Sequence, residues 1–149
     1  MLSALIAAFI FYMSAQNSNS SSGMSGGLIR FFIDLFPKFK NLPETSKEIH
    51  IENLQFFVRK AAHWSVYFSL GLFSSLALFT HEMRFYKRPL IAAGSCLTYA
   101  ISDEIHQLFI PGRSGEIRDV LIDFSGSIIA ILIVVLINKK RASSSKDTK

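Results

Sequence analysis

One cysteine, Cys96, is present, so no intramolecular disulfide can form, and its place inside an apolar block suits a small packing residue. No HExxH and no other ordered zinc spacing occurs, so neither a metal nor another cofactor is expected. No Ser-His-Asp order and no phosphate-binding loop is found. The first residues lack a basic stretch, and those before Gln16 make a poor small-x-small cleavage site, so a cleaved leader is not expected. The formal charge of +5 and the pI near 9.5 do not point to nucleic acid. The basic residues flank apolar blocks and are not interleaved with aromatics on a polar surface, so anionic lipid and the positive-inside bias account for them.

The apolar residues make up half of the 149 positions, and the mean hydropathy is +0.33. They fall in blocks near the ~20 residues that a helix needs to cross the ~30 Å bilayer core. The expected fold is an all-α membrane protein of about four transmembrane helices, with spans near 1–15, 61–80, 90–110 and 120–138. The Ser/Asn/Gly run from Gln16 to Gly27 reads as a flexible loop. Leu28, Phe31, Phe32, Leu35 and Phe39 then recur at helical spacing opposite Arg30, Asp34 and Lys38, the pattern of an amphipathic helix in the membrane interface, broken near Pro37. Thr45 and Glu48 read as a capping box opening a helix that continues through Phe56 and Phe57 into the second span. Residues 16–60 thus form one loop with interfacial helices. Ser65 with Ser69, and Gly126 with Ala130, offer small faces for helix packing. Pro111 and Gly112 end the third span, Asp119 reads as the N-cap of the fourth, and 139–149 as a basic disordered tail after a single domain of 1–138. The basic 81–88 loop and the basic tail favour cytoplasmic termini.

Alternation of direction brings three helix ends to one membrane face, outward in that orientation. They carry Arg59, Lys60 and His63; Asp103, Glu104, His106 and Gln107; and Asp119 and Asp123. Charges in spans cost about 2.5–3.5 kcal/mol at the helix centre and less near the ends, and they mark function or act as packing glue. His63 reads either as a proton carrier or as a histidine bonded to a neighbouring helix. Tyr67 reads as a partner of the cluster or as an interfacial aromatic. Arg113 reads as a site for an anionic headgroup or as a partner of Glu116. Acid/base candidates are His63, Asp103, Glu104 and His106.

Arg59-Lys60-x-x-His63-x-x-x-Tyr67 with Leu70-Gly71, Asp103-Glu104-x-His106-Gln107-x-Phe109 with Pro111-Gly112-Arg113, and Asp119-x-x-x-Asp123-x-x-Gly126 together resemble the signature of the VanZ-like family. Phe11, Ser14 and Gln16 resemble the end of that family's first span. The pattern departs at Val66, where family members often carry an acidic residue, and in its shorter first span. The resemblance implies a small multi-pass bacterial protein of the plasma membrane, related to an accessory protein that lowers susceptibility to the glycopeptide teicoplanin. It implies no particular reaction. The expected partners are membrane lipids and lipid-linked wall precursors or glycopeptides, with no nucleic acid. Three functions follow: an accessory that binds or alters surface precursors or lipids, an enzyme acting on a lipid headgroup or wall precursor, and a structural or assembly protein.

Overall fold

The computed structural model describes residues 2–35 and 43–144. Its elements are α1 (Leu2–Ser14), α2 (Ser18–Leu35), α3 (Glu44–Phe79), α4 (Lys87–Gln107) and α5 (Ile117–Ser144), with no strand among the described residues. No proline interrupts α3, a continuous helix of 36 residues, about 54 Å long at 1.5 Å per residue. It therefore runs through Phe56 and Phe57 as expected and outreaches a bilayer core. Its opening differs from the expected capping box. Pro43 stands at the N-cap, its carbonyl accepts the Ser46 and Lys47 N–H groups, no side chain caps the end, and Thr45 and Glu48 lie inside the helix.

Among the described residues two helices, α3 and α5, are long and apolar enough to cross a membrane. Of the four expected spans, these two meet that test of length and hydropathy. Helix α1 has 13 residues, about 20 Å, short of a ~30 Å core. Helix α4 has the length, but Ser102, Asp103, Glu104, His106 and Gln107 make its last turns polar. On α5, Leu132, Ile133, Leu136 and Ile137 remain exposed, an apolar surface that suits lipid.

Helix α3 meets α5 through two glycines. A Cβ at Gly71 would lie 2.5 Å from the Ser127 carbonyl oxygen, and one at Gly126 would lie 2.6 Å from the Trp64 carbonyl oxygen. The backbones approach because these positions carry no side chain. The Ser127 hydroxyl donates to the Tyr67 carbonyl at 2.9 Å, and Trp64 Nε1 donates to Ser125 Oγ at 3.2 Å. Gly126 and Ala130 thus pack as the sequence suggests. Ser65 is exposed and Ser69 partly buried, and their hydroxyls donate to the Ala61 and Ser65 carbonyls of their own helix. Ile10, Tyr67, Leu70, Cys96 and Ala100 form the core that joins α1, α3 and α4.

Three further boundaries differ. The Ser/Asn/Gly run is helical from Ser18, although its composition disfavours helix. Docking supplies the difference: Ile29 packs on Ile51 and Val58 of α3, Arg30 pairs with Glu44, and Lys47 reaches Asp34 at 3.9 Å. Leu28, Phe31 and Leu35 stay exposed on α2. The expected break near Pro37, with Lys38 and Phe39, lies outside the described residues. Helix α4 stops at Gln107, and a turn follows in which Gly112 takes a left-handed φ of 76°. At the other end, α5 continues through Lys139, Lys140 and Arg141 to Ser144, so the expected disordered tail is helical over that stretch. Basic side chains are favourable at a helix C-terminus.

Candidate functional site

The motifs of the sequence converge where α3 leaves its polar first half, α4 ends and α5 begins. Arg59, Lys60, His63, Glu104, Gln107, Arg113, Asp119 and Asp123 line one open cavity of about 280 Å³. Asp103 and Tyr67 stand behind this lining, both buried. His106 turns away, with its ring stacked on Phe11 at 4.5 Å.

Most of these side chains are held by a neighbour on another element or one turn away. Lys60 of α3 pairs with Asp119 of α5, both partly buried. Asp119 lies within the first turn of α5, so the N-cap assignment is corrected: α5 opens at Ile117 and the carboxylate serves the ion pair. His63 Nδ1 lies 3.6 Å from Asp123 Oδ2. Asp103 Oδ2 accepts from Ser14 Oγ of α1 at 2.9 Å and from Gln107 Nε2 at 3.3 Å. Gln107 Oε1 in turn accepts from Arg113 Nη1 at 3.2 Å. Glu104 Oε1 accepts the Glu116 N–H at 2.6 Å, which latches the α4–α5 loop onto α4. The Glu116 carboxylate pairs with Arg118 at 3.3 Å and not with Arg113.

Tyr67 is completely buried, so the interfacial-aromatic reading is corrected. Its phenol sits by Asp103 and Asp123, and its hydroxyl has no hydrogen-bond partner among the described residues. His63, Asp103 and Asp123 each offer a ligand atom, all within 4.8 Å of one another. Arg113, in the loop, lies near Arg59; burial first and that second guanidinium next push its pKa down, against the opposing pull of Asp103 and Glu104, though an arginine stays charged. Neither Arg59 nor Arg113 forms an ion pair with a carboxylate among the described residues.

Sequence reasoning missed the Glu116 backbone and the bond from Ser14 to Asp103. Ser14 entered only through the family resemblance. A hydroxyl at the end of an apolar block signals little until its distant partner is known.

A family model described as VanZ/LLP1 matches residues 1–138. The chain belongs to the VanZ/LLP1 family. The match to this VanZ-like chain covers α1 to α4 and α5 as far as Asn138, the segment that builds the cavity. No curated protein and no solved structure matches it. Family membership and the two apolar helices together make it a membrane protein. Val66, at the position where an acidic residue is common in the VanZ-like pattern, packs against the core beside Ile10 and Tyr67. The carboxylates that line the cavity come from α4, from α5 and from Glu116 between them.

Proposed function

We propose that this VanZ-like chain is a four-span protein of the cell membrane whose cavity opens at the outer face and binds the phosphate of a lipid headgroup or lipid-linked wall precursor. The observation that carries this reading is the placement of Arg59 near Arg113 on the cavity wall, neither ion-paired with a carboxylate among the described residues. Two neighbouring guanidiniums repel until an anion comes between them, and their planar donor forks match phosphate oxygens. The family supports the setting: a chain that binds or alters surface precursors would lower susceptibility to glycopeptides such as teicoplanin. The basic residues Arg84, Lys87, Arg88, Lys139, Lys140 and Arg141 support cytoplasmic placement of the 81–88 loop and both termini.

The test compares wild type with Arg59→Gln and Arg113→Gln in nanodiscs carrying a lipid-linked wall precursor or phosphatidylglycerol. Each loss of a charge-assisted contact should weaken binding by about tenfold or more, in line with about 1.5–3 kcal/mol. In cells, teicoplanin susceptibility should return to that of a strain lacking the protein. Unchanged binding and unchanged susceptibility in both variants would overturn the reading. Release of a cleaved product in the same incubation would instead assign the cavity to an enzyme, with His63 beside Asp123 as its acid/base group.

A further inference from the structure

Asp103 and Asp123 reach one point from different helices, although each is only 4–5% exposed. Two such carboxylates repel each other and lose their hydration, which favours a proton or a cation shared between them. No side-chain cation forms an ion pair with both carboxylates among the described residues. Lys60 is taken by Asp119, and Arg113 donates to Gln107. Asp103 forms no ion pair among the described residues, and Asp123 has only His63 at 3.6 Å. A second observation is independent of the acidic pair. The Tyr67 hydroxyl, fully buried beside both carboxylates, lacks a partner among the described residues. Asp103 Oδ1 is likewise buried without a partner. Buried polar atoms are almost always satisfied, and although the Tyr67 hydroxyl lies beside Asp103 it makes no well-formed hydrogen bond there, which leaves it able to turn to a group held between the carboxylates.

We propose that His63, Asp103 and Asp123 hold a divalent first-row cation, Mn²⁺ or Zn²⁺, with the Tyr67 hydroxyl directed at the ion or at its water. Two carboxylates with one imidazole suit these ions, whereas Mg²⁺ and Ca²⁺ prefer all-oxygen sites. Donors about 2.1 Å from a common ion lie no more than about 4.2 Å apart. The three ligand atoms, within 4.8 Å of one another, therefore need only a small closure. His63 and Asp123 also line the open cavity, so a bound ion keeps coordination positions facing it. The absence of HExxH in the sequence does not bear on this site, because its ligands come from three helices. The site does not depend on what the cavity binds, and the measurement is made without lipid-linked precursor.

The full chain in neutral detergent is stripped with EDTA and titrated with Mn²⁺ or Zn²⁺. Equilibrium dialysis gives stoichiometry, and the fluorescence of Trp64, the one tryptophan, beside His63, reports the site. The expected result is one saturable ion per chain, quenching of Trp64 by Mn²⁺, a rise in Tm with the ion, and weak competition from Mg²⁺ and Ca²⁺. Asp103→Asn and Asp123→Asn should lower the affinity at least about tenfold and abolish the rise in Tm. His63→Gln, whose side chain is partly exposed and whose amide can still reach Asp123, should also weaken binding about tenfold, which covers the case in which an Asp variant does not fold. No saturable binding by the stripped wild type at millimolar ion would overturn the proposal. So would unchanged affinity in a folded variant of any of the three ligands.

Discussion

Lys60 and Asp119 tie the start of the apolar half of α3 to the first turn of α5, with side chains 24% and 18% exposed. Water still reaches both, so breaking the pair should cost less than the about 3–5 kcal/mol of a fully buried one. Lys60→Met and Asp119→Asn should each lower stability by about 1–3 kcal/mol, and the double variant should lose less than the sum. Denaturant unfolding in detergent checks this; additive losses would mean that the two charges are independent. Tyr67→Phe differs in kind. Its hydroxyl lies beside Asp103 but makes no well-formed hydrogen bond among the described residues, so without added metal its removal should leave stability unchanged or raise it by up to about 1 kcal/mol. A clear loss in the same assay would show that the phenol has a protein partner. At this scale the sequence revealed which residues gather, because three helix ends had to share one face. It did not reveal their rotation. His106 is three residues from Asp103 and both meet α1, at Phe11 and Ser14, yet only Asp103 also stands near Tyr67 of α3. Spacing within one helix does not specify which neighbour each flank meets.

Helices α3 and α5 pack by backbone contact at Gly71 and Gly126, and this approach sets the shape of the cavity above it. Gly126→Leu would drive a side chain into the Trp64 carbonyl, and overpacking of this kind costs about 1–3 kcal/mol. The variant should accumulate less in the membrane and melt earlier in detergent. Gly94 of α4 has nothing within 4 Å of an added Cβ, so Gly94→Ala should raise stability by about 0.5–1 kcal/mol. Equal thermal shifts for the two would show that backbone contact is not what holds the helices. The pairing of α2 with α3 carries a pH dependence. The hydrogen bond from Lys47, and next that from Arg30, holds the Glu44 carboxyl below its ordinary 4.5. A lowered folded pKa adds stability above the ordinary value and loses it as pH falls through the lowered one. Spin labels on α2 and α3 should therefore show a broader distance distribution in acid below pH 4.5 than at neutral pH, an effect removed by Glu44→Gln. The apolar period of α2 was legible from Leu28 onward, and so was the long α3, which has no internal proline. The helicity of Ser18–Gly27 was not legible, since it depends on docking against Ile51 and Val58 and not on local propensity.

For the whole molecule, the arrangement has a direction. The cavity, the polar first half of α3 and its partner α2 lie toward one end, and the 81–86 loop lies at the other. Under the proposed topology, reporters fused at Ser20 and Gly115 should be exported, and those at Lys87 and the C-terminus retained. An exported reporter at Lys87 would reverse the orientation. The pairing of α3 with α5 also fixes an order of events during synthesis. The glycine notch of α3 enters the membrane first, and α4 follows with Asp103 and Glu104, while the helix that covers both is still unmade. Until Ile117 and the residues after it emerge, Lys60 has no counter-charge from Asp119 and Gly71 has no backbone to meet. The nascent chain thus passes through a stage that a membrane protease or an insertase can tell apart from the finished one. A chain ended after Glu116 should be cleared rapidly, and co-expression of α5 as a separate segment should slow its loss.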